Sequence, residues 1–315
     1  ILGNPNEWQI EPKWDGIRAQ IILRKDARLI WSRGEQLLNE QLPEIEDALK
    51  SNPEELSFVL DGEILVWDFE NDKVRSFADL QKRLGRKKVS KAILKEIPVV
   101  FMAYDLLEID SVDLRTKSTS ERRDLLEKWF PSIKTSVIRL SPIYDASKGW
   151  DKMAEVRSHS REEGIEGLML KQKTAIYSAG RKKGLWWKWK IEPYTVDAVM
   201  VYAQQGHGRR AGIFSDYTFS IWNDGELVPF CKAYSGLSDI EMKRVDKWIR
   251  ANTTAKHGPV RVVRSELVFE IAFEGIQESK RHKSGIAVRF PRIHRWREDK
   301  LACDADTLET VKSLL

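Results

Sequence analysis

Lys13 stands inside the run Glu11-Pro12-Lys13-Trp14-Asp15-Gly16-Ile17-Arg18, and a lysine is a side chain that can form a phosphorus–nitrogen bond. It is a nucleophile only when uncharged, and neighbouring cations make its proton easier to lose. Asp-Gly is a strong dipeptide signal for a tight hairpin turn, which would place Lys13 at a strand end, rigid and open to a ligand. In an extended segment Lys13, Asp15 and Ile17 share one side and Arg18 takes the other, unless Gly16 bends the chain. Taken alone, the octet reads equally well as a lysine on a solvated hairpin.

Four downstream elements decide between these readings. Asp61-Gly62-Glu63 interrupts a β-rich run and by itself is a bulge or turn. Tyr104-Asp105 ends an apolar strand, where a core tyrosine is the plain reading. Glu166-Gly167 opens the apolar stretch to Lys171, so its carboxylate is either a surface residue at a helix end or a metal ligand. Lys188 and Lys190, two apart, share one face of a strand, where lysines also guard exposed edges. Trp187 and Trp189 then face the core. A neutral lysine attacking the α-phosphate of a nucleoside triphosphate makes a phosphoramidate and expels pyrophosphate. The charge that develops needs cations, which Lys188, Lys190 and a divalent metal could supply. A hard cation takes oxygen ligands, for which Glu63 and Glu166 are best placed, and Tyr104 could stack a purine. None of these is specific alone; the ordered set is.

Strands are expected over 18–24 and 27–32, a helix near 40–50, a strand over 58–66, a helix over 77–84 and a strand buried on both faces over 99–107. Ser120 is read as the cap of a helix over 121–128, and an amphipathic helix is expected over 152–163, ended by Gly164. From Tyr194 the pattern turns to short strands at 196–202, 217–222, 227–233 and 262–272, broken by one helix at 238–249, which is the pattern of a small barrel. The expected fold class is α+β, with domains at 1–192 and 193–315.

The 315 residues are 42% hydrophobic and 32% charged, enough for two cores. No run approaches the ~18 consecutive apolar residues of a membrane helix, and the start has no secretory pattern. Cys231 and Cys303 form no disulfide framework and are read as small buried hydrophobes. The five histidines lie too far apart to suggest a zinc site. The formal charge of +5 leans toward a polyanionic partner. Its basic residues gather at Arg181, Lys182, Lys183, Lys188 and Lys190, and again between Lys280 and Lys300.

Over essentially its whole length the chain resembles the covalent nucleotidyltransferases, and most closely the ATP-dependent DNA ligases, in a form that looks bacterial. The resemblance implies an adenylation domain of antiparallel, ATP-grasp-like sheets with flanking helices, followed by an OB-fold barrel. Lys13-Trp-Asp-Gly-Ile-Arg18 matches the first motif, so Lys13 is the implied adenylated residue, with Asp15 and Arg18 beside it. Glu11 matches the position that reads the adenine amino group, and Arg33, in Ser32-Arg33-Gly34, the position that meets the phosphate at the nick. Asp61-Gly62-Glu63, Tyr104-Asp105, Glu166-Gly167 and Lys188-Trp-Lys190 follow in order. They imply ribose contact or metal support, adenine stacking, metal binding and α-phosphate contact. Arg289-Phe-Pro-Arg292 with Arg297-Glu-Asp-Lys300 looks like the ligase form of the last motif, in which Arg297 and Lys300 orient pyrophosphate. Arg209-Arg210 and the run 232–239 also resemble the ligase barrel.

The implied cofactors are ATP and Mg²⁺ or Mn²⁺, and the implied partner is nicked duplex DNA. Lys13 would take AMP from ATP, pass it to a 5′-phosphate, and a 3′-hydroxyl would displace it. A hinge near 191–194 is expected to move the barrel between these steps. The chain is expected to be monomeric, away from membranes, cytoplasmic and nucleoid-associated. It is also expected to be the catalytic core of a longer ligase whose N-terminal DNA-binding domain is missing, a naturally minimal ligase being the other option. RNA ligases and capping guanylyltransferases share the lysine chemistry, and a catalytically silent nucleic-acid-binding module would share only the fold.

Overall fold

The computed structural model describes residues 2–53, 55–86, 88–180, 182–208 and 211–315. Arg181, Arg209 and Arg210, which carried part of the expected basic surface and barrel resemblance, lie outside the described residues. The chain divides into two compact units, Ile1–Ile191 and Glu192–Leu315.

The first unit contains strands β1 (Trp8–Trp14), β2 (Ile17–Arg24), β3 (Ala27–Ser32), β4 (Phe58–Asp68), β5 (Lys73–Val74), β6 (Val99–Ile109), β7 (Val112–Asp113), β8 (Ile138–Leu140), β9 (Ile165–Gln172) and β10 (Trp186–Lys190). Its helices are α1 (Pro43–Lys50), α2 (Phe77–Leu84), α3 (Lys91–Glu96), α4 (Thr119–Trp129) and α5 (Gly149–Ser158). Strands β3-β2-β4-β6-β7 form a large, mainly antiparallel sheet, with β5 on β4 and β8 parallel to β6; β1-β9-β10 form a small antiparallel sheet. Strand alternation sorts the large sheet into two faces. Ile21, Leu23, Leu60, Ile64, Phe101 and Ala103 pack under Leu42, Ile45 and Leu49 of the α1 segment, Leu80 of α2 and Leu126 of α4. The opposite face carries Leu65, Trp67, Val100 and Met102, with Trp14 packed against them. The small sheet packs Ile10, Leu168 and Leu170 against Met153 and Trp150 of α5.

Several expectations change. Asp15-Gly16 is not a hairpin turn: β1 pairs with β9, whereas β2 pairs with β3 and β4, so the bend carries the chain from the small sheet to the large one. Glycine is required there because a Cβ on Gly16 would sit 2.3 Å from the Ile64 carbonyl oxygen. Asp61-Gly62 does not interrupt β4; it forms a bulge within one continuous strand. Helix α4 is capped by Ser118, not Ser120, in a reciprocal box with Glu121. Helix α5 ends at Ser158, and 159–164 is turn. Trp187 is not in the core: β10 is an edge strand, and this indole is 45% exposed at the rim. Cys303 is exposed rather than buried.

The second unit contains β11 (Tyr194–Gln205), β12 (Phe214–Asn223), β13 (Glu226–Ala233), α6 (Asp239–Ala251), β14 (Thr253–His257), β15 (Val260–Val263), β16 (Val268–Phe273), β17 (Gly275–Glu278), β18 (Ile286–Arg289), β19 (Arg292–Trp296) and α7 (Leu308–Lys312). The single strand expected over 262–272 is two strands, β15 and β16, both pairing with the long β11. The sheet order β13-β12-β11-β15-β14, with β16 joining β11 to β19, surrounds a core of Phe219, Phe269, Ile271 and Phe273 covered by Val245 and Ile249 of α6. This is the antiparallel barrel that the short-strand pattern predicts.

Candidate active site

In the small sheet one face is apolar and the other is charged. Gln9 pairs with Lys171, Glu11 with Met169, and across β9 the partners are Trp186, Lys188 and Lys190. Because strand faces alternate, these side chains project to one side, and Lys13 follows Glu11 by two on the same strand. On the large sheet Arg18 pairs with Glu63 and Glu63 with Met102, with Asp61 and Tyr104 on the same face. The two sets meet. Lys171 Nζ lies 4.4 Å from the Tyr104 ring centroid and 4.9 Å from that of Trp186.

Lys13 forms an ion pair with Glu166, whose Oε2 also lies 3.4 Å from Lys190 Nζ. Burial would raise the Glu166 carboxyl, but the ammoniums of Lys13 and Lys190 outweigh it and hold it below its ordinary range. Gly167 makes this approach possible: its φ is +129°, and a Cβ there would lie 2.4 Å from the Trp189 carbonyl oxygen. Lys188 is held below its ordinary value by partial burial and by the charges of Lys13, Arg33 and Lys190. Glu63 is the opposite case. Burial, aided by Asp61 and opposed by Lys13, raises its carboxyl to about 8.

Glu11, 1% exposed, accepts from Lys171 Nζ at 2.8 Å on one oxygen and from Gln9 on the other. Asp61, fully buried, accepts from Arg18 Nε (3.1 Å) and Nη2 (2.6 Å) and from Tyr177 (2.8 Å), while the Tyr104 hydroxyl lies 3.5 Å away. Asp15 lies in the bend between the sheets, and the Arg33 backbone N–H donates to the Arg18 carbonyl at 3.0 Å. The first unit thus brings Glu11, Lys13, Arg18, Glu63, Tyr104, Glu166, Lys188 and Lys190 to one locality.

Arg297 and Lys300 belong to the second unit. Both donate to Asp197 Oδ2 at 2.7 Å, and Arg297 also grips Asp299 through Nε (2.9 Å) and Nη2 (2.8 Å). Sequence reasoning passed over Gln9, Lys171, Trp186, Tyr177 and Asp197. Gln9 carried a usable signal, since it lies two and four residues before Glu11 and Lys13 on one strand; the others depend on pairing between distant segments.

Residues 2–190 match the family model described as ATP dependent DNA ligase domain, and residues 210–300 match the ATP dependent DNA ligase C terminal region. A probable DNA ligase of Koribacter versatilis is 38% identical over 97% of this chain and 56% of that protein. A DNA ligase of Natronomonas pharaonis is 32% identical, over 98% of this chain and 55% of its own length. The chain spans about half the length of most of the curated relatives it matches. Among solved structures, a Lig E DNA ligase superposes with a TM-score of 0.61 at 20% identity, covering 93% of this chain and 94% of that one, which supports the shared two-domain fold. By these matches the chain belongs to the ATP-dependent DNA ligase family.

Proposed function

We propose that the chain is the catalytic part of a DNA ligase that uses ATP to seal nicks bearing 3′-hydroxyl and 5′-phosphate ends. The observation that carries this reading is the convergence of Lys13, Glu166, Lys188 and Lys190 at the charged face of the small sheet. Lys13 is the nucleophile toward the α-phosphate. Its ammonium is paired with Glu166, so the attack needs that pair loosened and the proton lost. Lys188 and Lys190 meet the charge that builds on the α-phosphate oxygens. Arg297 and Lys300 orient the departing pyrophosphate, and Arg33 meets the 5′-phosphate of the nick. Glu11, with both oxygens already steered by Gln9 and Lys171, accepts from the adenine amino group while Tyr104 stacks on the base. Arg18 contacts the nucleotide, and Asp15 supports Lys13 from the bend.

No group of three or more His, Cys, Asp or Glu side chains is gathered for a metal among the described residues. Two carboxylates with phosphate oxygens suffice for Mg²⁺ or Mn²⁺, and Glu63 and Glu166 fit that donor set, since Glu63 feels the Glu166 charge across the site. When bound there, the cation supplies neutralising charge beside the phosphates. The substrate reading places the protein with DNA, in the cytoplasm and at the nucleoid, acting as a monomer; no described helix is long and apolar enough to cross a membrane. A helical DNA-binding domain preceding this segment remains part of the proposal. The test is incubation with α-³²P-ATP and metal, with mapping of the labelled residue. Label on Lys13 that is lost in Lys13→Ala, and that chases into nicked DNA, is the expected result. Label with GTP only, or chase into RNA alone, would move the reading to a capping or RNA-joining enzyme, and no label at all to a silent binding module.

A further inference from the structure

Arg18 is unusual in how its guanidinium is used. It has five N–H donors in a fixed fork. The single Nε–H goes to Asp61 Oδ1 at 3.1 Å, and the two on Nη2 go to Asp61 Oδ2 at 2.6 Å and to the Tyr177 hydroxyl at 2.9 Å. The two on Nη1 have no acceptor among the described residues, and the side chain is 36% exposed although its carboxylate partner is fully buried. The Tyr177 hydroxyl is equally committed: it accepts from Arg18 and donates to Asp61 Oδ2 at 2.8 Å. Its ring stands edge-on to Trp186 at 5.8 Å, and its backbone N–H donates to the Arg115 carbonyl at 2.9 Å. Tyr177 lies outside every strand, on the segment between β9 and β10. An ion pair between Arg18 and Asp61 alone would leave the second Nη2 hydrogen unfilled and the guanidinium plane freer to swing. The phenol closes that triangle.

We propose that Tyr177 is a positioning residue for the nucleotide site: it locks Arg18 so that Nη1 is held ready as a donor to an oxygen of the bound nucleotide. This rests on the ligase reading, because it takes ATP as the ligand. Locking an existing donor removes freedom that would otherwise be lost on binding, so its effect falls on affinity rather than on the chemical step.

The experiment measures Lys13–AMP formation against ATP concentration for the unmodified chain, Tyr177→Phe, Arg18→Lys and the double variant. Tyr177→Phe keeps the ring and its contact with Trp186. We expect it to raise half-saturating ATP about tenfold, the usual size for losing one hydrogen bond to a charged group, and to change the saturating rate less than about twofold. Arg18→Lys keeps a cation for Asp61 but has no fork to lock, so adding Tyr177→Phe to it should change nothing further. The ATP-induced rise in melting temperature is read in parallel, so a variant that binds without reacting still reports. Equal losses from Tyr177→Phe in both backgrounds, or a fall in the saturating rate with unchanged half-saturation, would overturn the proposal. An unmodified chain that forms no lysine adduct would instead remove the functional reading, and this inference with it.

Discussion

Glu63 offers a test that needs no substrate. Its carboxyl is raised from 4.5 to about 8 by burial, with Lys13 pulling against that shift and Asp61 adding to it. At pH below about 4.5 both the folded and the unfolded chain hold the proton, and the group takes nothing from stability. As pH rises toward 8 the unfolded chain releases its proton while the folded chain keeps it, so stability falls through this window. Above 8 both forms are ionised and the loss is complete. The distance from 4.5 to about 8 corresponds to a ceiling of about 5 kcal/mol. Glu63 keeps an edge toward solvent, so we expect roughly half of that, about 2–3 kcal/mol. Glu63→Gln preserves size and hydrogen-bonding reach but cannot ionise. In urea denaturation without divalent metal, the variant should match the unmodified chain near pH 5 and exceed it by that amount near pH 8.5. Adding Mg²⁺ at the higher pH should then stabilise the unmodified chain and leave Glu63→Gln unmoved, since a cation removes the cost of the buried charge only where there is one. A stability gap that is the same at both pH values would refute the burial argument; a gap that opens with pH but ignores Mg²⁺ would leave burial standing and remove Glu63 from the proposed metal site.

Two further outcomes follow, the first from the role proposed for Arg297 and the second from the geometry at Gly167. Arg297→Ala should depress Lys13–AMP formation by about a hundredfold or more, yet alter sealing of a pre-adenylated nick by no more than a few fold, because pyrophosphate departs only in the first step. Equal losses in both assays would contradict its assignment. Gly167→Ala places a Cβ 2.4 Å from the Trp189 carbonyl oxygen at a φ of +129°; a loss of about 3 kcal/mol or more in thermal unfolding, with loss of adduct formation, is expected as Glu166 is pushed from Lys13.

Much of the architecture was legible because it is written in local periodicity. The apolar run of β6 is buried on both faces, and the stripe of Leu42, Ile45 and Leu49 packs on the large sheet. Local signals failed where a distant segment decided the outcome. Asp15-Gly16 has the composition of a hairpin turn, yet the strands on either side join different sheets, and the glycine serves a close approach to Ile64. The cap of α4 was missed for another reason: Ser118-x-x-Glu121 closes a reciprocal box, a local signal that the expectation of Ser120 passed over. Trp187 alternates onto the apolar face as expected, but among the described residues no further strand covers the rim of β10.

The site divides the same way, and Asp61 shows where reasoning from a motif alone stops. Its sequence neighbourhood offers two carboxylates two residues apart, both candidates for sugar contact or metal support. Folding makes them different. The Asp61 carboxylate is saturated by Arg18 and Tyr177 on a fully buried strand, so it serves as an internal anchor. Glu63 feels the charges of Lys13 and Glu166, but burial opposes its own ionisation and no described cation fully offsets that cost, so its carboxyl keeps its proton to about pH 8. A group in that condition is stabilised by what arrives, whether a metal ion or a donor on the ligand. The spacing Asp-x-Glu could not separate these roles, because the partner that fixes Asp61 comes from Tyr177, more than a hundred residues later, and only the pairing of the sheets brings it near.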